Sequence, residues 1–97
     1  MKDKHKIDIL GGGPAGLSVG YFARKKGYDI CIHEGSSTIG GNCRTIKIGE
    51  YRFDTGAHRF HDKIFSITKE VKKLMGDDLK KINVPSKIYF DGRMIDF

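Results

Sequence analysis

The sequence has no apolar run long enough to cross a membrane, and only two cysteines among its 97 residues. Since a membrane-spanning helix needs about 20 mostly apolar residues, no transmembrane segment is predicted. The charged start of the chain leads into the apolar run Ile7–Leu10, which is too short for a signal peptide. Cys31 and Cys43 stand apart from each other, which fits neither a disulfide framework nor a zinc ribbon. These absences predict a cytoplasmic protein with reduced thiols and no metal site.

Basic residues outnumber acidic ones by 18 to 12, giving a net charge of +6. The basic residues fall in several short clusters rather than in one block, and three of the clusters lie on or just after predicted helices. Solvated helix faces normally carry such residues. The charge is compatible with a phosphate-bearing ligand, and we expect no nucleic-acid partner.

A strand, a helix and a second strand are predicted at the start of the chain. The strand Ile7–Leu10 ends at three glycines, and Pro14 suits the first turn of a helix that runs to about Lys26. Gly27 is a natural helix end, and the second strand covers Ile30–Glu34. The pattern predicts an α/β fold built on a Rossmann-like βαβ unit with a right-handed crossover.

Two hairpins and a second helix are predicted further along. The strands 44–48 and 51–53 are joined through Gly49-Glu50, and an Asp91-Gly92 pair between two strand-like runs favours a terminal hairpin. Between them, a helix is predicted to begin at Asp62 as N-cap and to run to Met75, with Gly76 closing it. Four apolar residues repeat at helical spacing and are predicted to pack in a core: Ile64, Ile67, Val71 and Leu74.

The sequence stops inside a predicted strand, at Phe97. A doubly wound nucleotide-binding domain normally has more strands than are predicted here. We therefore expect residues 1–97 to be the incomplete N-terminal part of such a domain, with the substrate domain absent from this chain.

The glycine-rich segment Gly11–Gly16 matches the dinucleotide-binding fingerprint, since it follows a predicted strand and opens a helix. Its three fingerprint glycines are Gly11, Gly13 and Gly16, with Pro14 and Ala15 between the last two. Free N–H groups and the helix dipole attract the pyrophosphate there. Glu34 stands eighteen residues past Gly16, at the end of the second strand. A carboxylate at that point accepts the ribose hydroxyls of an adenosine and repels a 2′-phosphate, so NADP is not expected.

A second pair of glycines, in Gly40-Gly41-Asn42, comes six residues past Glu34. Glycines here let the chain pass again beside the pyrophosphate. Together with Gly11–Gly16 and Glu34, this segment resembles the FAD-binding amino terminus of the amine oxidase, protoporphyrinogen oxidase and phytoene desaturase superfamily. Many of those relatives read Gly-Gly-Arg, and here the basic residue is displaced to Arg44. The resemblance implies that FAD is the cofactor.

The segment Gly56-Ala57-His58-Arg59-Phe60-His61 narrows the resemblance further. With Gly40-Gly41-Asn42, it looks similar to UDP-galactopyranose mutase and to FAD-dependent proteins of polysaccharide gene clusters. The resemblance implies that Gly56, Ala57 and His58 lie close to the isoalloxazine and that His61 positions or tunes the flavin. His58 and His61 are the candidate catalytic residues.

The predicted function is that of an FAD-binding segment of an oxidoreductase in this superfamily, with a role in surface polysaccharide (lipopolysaccharide) synthesis. One alternative is a mutase in which reduced FAD attacks the anomeric carbon of a nucleotide sugar. Another is a dinucleotide-binding module that performs no chemistry. A third, an NAD-dependent dehydrogenase, is disfavoured by the doublet Gly40-Gly41. The small-molecule substrate is expected to bind mainly through residues that this chain lacks.

Overall fold

The computed structural model of the chain describes residues 5–56 and 59–96. It divides into two compact units, Met1–Phe60 and His61–Phe97. The predictions made for Ala57 and His58 lie outside the described residues.

The first unit begins with the predicted βαβ arrangement. Strand β1 spans Lys6–Leu10, helix α1 spans Pro14–Lys25, and strand β2 spans Asp29–His33. The two strands pair in parallel, with Asp8 opposite Cys31. Gly27 has a φ of 90°, a value that favours glycine and fits its predicted place at the helix end. The Rossmann-like α/β unit is thereby confirmed.

Helix α1 packs closely against one face of the two strands, and Gly20 lies at the contact. A Cβ atom placed on Gly20 would be 3.1 Å from Ile32 Cδ1 and 3.5 Å from side-chain carbons of Ile30 and Ile9. The buried glycine therefore lets the helix approach the isoleucines of both strands.

An antiparallel hairpin completes the first unit. Strand β3, Thr45–Ile48, pairs with strand β4, Tyr51–Asp54. The predicted turn at Gly49-Glu50 is confirmed, and Gly49 has a φ of 59°. A short 3-10 helix at Gly41–Cys43 precedes the hairpin; this helix was not predicted.

The second unit contains one helix and the predicted terminal hairpin. Helix α2 covers Phe65–Met75 and is followed by a 3-10 turn at Gly76–Asp78. Strands β5 (Lys87–Phe90) and β6 (Arg93–Asp96) pair antiparallel. Their connection, Asp91-Gly92, has φ values of 47° and 73°. Two positive φ values are what a tight two-residue hairpin turn requires, and the prediction is confirmed.

The predicted start of the second helix is wrong. Ile64, not Asp62, is the N-cap residue of α2, and no side chain caps the helix. Asp62 Oδ1 instead accepts a hydrogen bond of 2.7 Å from Oγ1 of Thr68, the fourth residue of the helix. The carboxylate therefore reaches past the first turn to a hydroxyl that is itself buried.

The predicted core stripe of α2 is also wrong. Ile64, Ile67 and Leu74 are 57, 51 and 60% exposed, and Val71 is half-buried. Helical spacing shows which side chains share a face, but it does not show that another layer covers that face. Among the described residues, no hydrophobic side chain is fully buried. None of the described helices is both long enough and apolar enough to span a bilayer.

Candidate dinucleotide-binding site

The turn after β1 is built around close backbone approaches that only glycine permits. Gly11 has a φ of 109° and its N–H donates to the carbonyl of His33 over 2.7 Å, which joins the turn to the end of β2. A Cβ atom on Gly16 would lie 1.9 Å from the carbonyl oxygen of Gly11. Any side chain at Gly16 would therefore force the helix start away from the strand end.

The positive end of the dipole of helix α1 lies at this glycine turn. Gly13 is the N-cap residue, no side chain caps the helix, and the first turn carries no acidic residue. The N–H groups of Ala15 and Gly16 have no acceptor within the helix, as in any first turn. Together with the helix dipole, such groups form an anion-binding site.

Glu34 follows β2 directly, and its carboxylate is bonded to the glycine turn. Its Oε2 atom accepts a hydrogen bond of 2.9 Å from Gly12 N–H, and its Oε1 atom accepts one of 2.9 Å from Ser36 N–H. The N–H of Ser36, and then that of Gly12, lower the pKa of Glu34 below its usual value. The ionised form of the carboxylate is thus favoured beside the glycine turn.

The glycine doublet returns the chain to the same turn. Gly40 N–H donates to the carbonyl of Gly12 over 2.8 Å. Gly41 has a φ of 55°, and a Cβ atom there would lie 3.0 Å from Gly13 Cα. The structure therefore brings together the three segments that the sequence singled out: Gly11–Gly16, Glu34 and Gly40–Gly41.

The next two candidate residues lie just beyond the doublet. Asn42 belongs to the 3-10 helix, and its carbonyl accepts a hydrogen bond of 2.6 Å from Thr55 Oγ1. Arg44 follows as the C-terminal cap of that helix, and its Cα lies 3.0 Å from the position of a Cβ on Gly40. Both residues are therefore close to the doublet in the chain and in space.

The residues assigned to the flavin end fall in different units or outside the described residues. Gly56 belongs to the first unit, whereas His61 belongs to the second. With Ala57 and His58 outside the described residues, the catalytic roles of His58 and His61 stay predictions.

Sequence reasoning missed the roles of Gly12 and of one side-chain pair. Gly12 is buried and links Glu34 to Gly40 through its N–H and carbonyl groups. In addition, Asp8 Oδ1 lies 2.8 Å from His33 Nε2 and 3.6 Å from Lys6 Nζ. The hydrogen bond from His33 is the main cause that lowers the pKa of Asp8. The sequence signal for the Asp8–His33 pair was Asp8 itself, because this charged residue interrupts an otherwise apolar strand.

Residues 9–77 match the family model of the NAD(P)-binding Rossmann-like domain. The chain belongs to this family. Among its relatives, a 1-hydroxycarotenoid 3,4-desaturase of a Flavobacterium species is 40% identical over 57% of this chain. A probable polyamine oxidase 5 of Arabidopsis thaliana is 29% identical over 80% of it.

A solved structure agrees with the sequence matches. The crystal structure of a CLA-producing fatty acid isomerase from P. acnes superposes with a TM-score of 0.70 and 26% identity, over 98% of this chain and 22% of that one. The chain matches only 11% of the length of the desaturase and 16% of that of the polyamine oxidase. These findings confirm the resemblance to the amine-oxidase-like superfamily of flavoproteins.

Proposed function

We propose that this Rossmann-like domain binds FAD and serves a flavin-dependent oxidoreductase as its amino-terminal cofactor-binding segment. The observation that carries the proposal is that Gly12 is hydrogen-bonded to both other segments: its N–H donates to the Glu34 carboxylate, and its carbonyl accepts from Gly40 N–H. Three segments far apart in sequence thereby converge on one helix N-terminus.

Glu34 suits the ribose of the adenosine half. A carboxylate has about four acceptor positions, and the N–H groups of Gly12 and Ser36 account for two of them. The remaining positions can accept the ribose hydroxyls. The negative charge disfavours a 2′-phosphate, so the proposed ligand is FAD or NAD rather than NADP.

Two observations favour FAD over NAD: the position of the doublet Gly40-Gly41 and the kinds of enzyme found among the relatives. Gly41 lies close to Gly13. Main chain without side chains would therefore border the proposed pyrophosphate position on a second side. The named relatives are a desaturase and an oxidase. When bound, FAD would supply a hydride acceptor, while the glycine turn would hold its pyrophosphate and Glu34 its ribose.

Nucleotide titrations of the purified chain test the adenosine half directly. We expect ADP and FAD to bind, and 2′,5′-ADP to bind at least about tenfold more weakly, the factor that a loss of about 1.4 kcal/mol gives. Glu34→Arg should weaken FAD binding, whereas Glu50→Arg, an equal charge change at the exposed β3–β4 turn, should not. Equal affinity of the Glu34→Arg variant for FAD would refute the ribose role.

The reaction is tested with the longest natural protein that contains this sequence. We expect a yellow protein whose flavin is bleached by an amine or polyene substrate without added reductant. Conversion of a UDP-hexopyranose only after dithionite reduction would instead establish the mutase activity. The motif Gly56–His61 is the sequence feature that supports this alternative. A role in polysaccharide synthesis rests on the same motif. A colourless protein that binds NADH would overturn the flavin proposal.

A further inference from the structure

The sheet face opposite helix α1 carries a group of polar side chains that dinucleotide binding does not use. Side chains alternate along a strand, so the isoleucines that contact Gly20 and the residues between them lie on opposite faces. Asp8, Cys31 and His33 occupy the face away from the helix. Asp8 is the unexpected member, because parallel strands are normally apolar on both faces.

The strand register brings these three residues together. Asp8 is directly opposite Cys31, and His33 follows two residues later on the same face. His33 Nε2 lies 2.8 Å from Asp8 Oδ1. One ligand atom from each residue (a carboxylate oxygen, a thiol sulfur and an imidazole nitrogen) lies within 4.8 Å of the other two.

We propose that Asp8, Cys31 and His33 form a three-ligand site for a zinc-type divalent cation. Sulfur, nitrogen and oxygen ligands bind zinc at about 2.0–2.3 Å, so neighbouring ligand atoms in a tetrahedral site are about 3.3–3.6 Å apart. Small side-chain rotations would open the Asp8–His33 contact and draw in the Cys31 sulfur. The cation would take the place of the Nε2 proton that His33 shares with Asp8. That proton and the thiol proton of Cys31 would pass to solvent, and the neutral imidazole would carry its proton on Nδ1.

The ligand types narrow the choice of cation. A thiolate and an imidazole favour zinc and its transition-metal neighbours over magnesium and calcium, which prefer oxygen ligands. Three protein ligands leave a fourth position for water or another group. Lys6 Nζ, 3.6 Å from Asp8 Oδ1, belongs to an exposed side chain, which can turn to solvent when the cation binds.

An Asp–His ion pair alone is the competing explanation, and it makes no use of Cys31. The two explanations therefore differ in whether the Cys31 sulfur binds a cation. Cobalt(II) is a suitable probe of the intact chain, because a bound thiolate gives a sulfur-to-cobalt charge-transfer band. We expect one equivalent of cobalt to produce this band and zinc to abolish it.

Substitutions assign the ligands. Cys31→Ser should remove the band, and His33→Gln and Asp8→Asn should each weaken zinc binding at least about tenfold, the lower limit seen for losing even an outer-shell partner. Matched controls are available in the same unit: Cys43→Ser, His5→Gln and Asp29→Asn should leave the band and the affinity unchanged. Circular dichroism establishes that each variant keeps its fold.

A second measurement needs no variant. In the wild-type chain, zinc should protect one of the two thiols from a thiol reagent, and mass mapping should identify the protected residue as Cys31. Equal reactivity of both thiols with and without zinc, or a charge-transfer band that persists in Cys31→Ser, would overturn the proposal.

Discussion

Glu34 connects local geometry to ligand choice at the scale of a single residue. Its two oxygens each accept a backbone N–H, one from the glycine turn and one from the loop that follows. The same carboxylate therefore orders the backbone of the turn and would present negative charge to the proposed ribose position. A neutral isostere would keep the shape but would lose the stronger, charge-assisted hydrogen bonds.

The lowered pKa of Glu34 predicts how stability depends on pH. The ionised form is favoured in the folded chain, so its contribution is present above the unfolded value, near 4.5, and is lost as the pH falls through the lower folded pKa. Glu34→Gln should therefore flatten the acid side of the stability profile, measured by urea unfolding across that range. Glu50→Gln, at the β3–β4 turn, is the control. A Glu34 carboxyl that titrates at or above 4.5 by NMR would contradict this prediction.

Gly16 sets the closest backbone approach in the site. In Gly16→Ala, the new methyl group would meet the Gly11 carbonyl oxygen, and backbone must move to accept it. We expect the free energy of unfolding to fall by ~1–3 kcal/mol, as for overpacked cores, and ADP binding to be lost. Gly35→Ala is the control, because a Cβ atom there meets nothing within 4 Å. Equal effects of the two variants would refute the argument from contact.

At the scale of elements, Gly20 shows how α1 and β2 set each other's spacing. Alanine would improve helix propensity by ~0.5–1 kcal/mol, but its methyl group would lie 3.1 Å from Ile32 Cδ1. We expect Gly20→Ala to give the full gain only when Ile32→Val has removed that atom. A double-mutant cycle should show a coupling of at least ~0.5 kcal/mol. Strictly additive free energies would show that the helix is not held by this contact.

How far the elements could be predicted depends on how local their signals are. The strands and helix of the βαβ unit and the turn at Asp91-Gly92 were predicted closely, because glycine, proline and alternating apolar residues act within a few positions. The start of α2 was not, since Asp62 bonds to Thr68 rather than capping the helix.

Two contacts between distant parts of the chain could not be predicted from the sequence, for a different reason. The contact of Gly40 with Gly12 spans 28 positions, and the cluster around Asp8 depends on the register between β1 and β2. Such contacts are set by strand pairing and loop closure, not by neighbouring residues. The fingerprint predicted which segments matter, but not that the main chain of Gly12 joins them.

At the scale of the whole molecule, many large apolar side chains are exposed among the described residues. Large side chains such as Leu10, Phe65 and Tyr89 are 86, 80 and 72% exposed, and no hydrophobic side chain among the described residues is fully buried. A chain with so little buried apolar surface gains little hydrophobic stabilisation. A ligand that binds the folded state should therefore add a large fraction of the total stability.

Ligand-dependent melting tests this expectation. A ligand at about 100 times its dissociation constant adds ~2.7 kcal/mol, which for a domain of this size corresponds to a rise of roughly 10–20 °C in Tm. We expect FAD or ADP to produce such a rise in the wild-type chain, followed by circular dichroism, and a much smaller one in Glu34→Arg. A Tm that is independent of nucleotide concentration would count against specific binding to the native state.

The two kinds of glycine contact have different evolutionary consequences. At Gly20 the obstacle is a removable methyl group on Ile32, so a harmful change there can be rescued by a second substitution. At Gly16 the obstacle is a peptide oxygen, which every amino acid possesses. A selection for second-site suppressors should therefore recover trimmed residues near position 20 and, for position 16, only reversion to glycine.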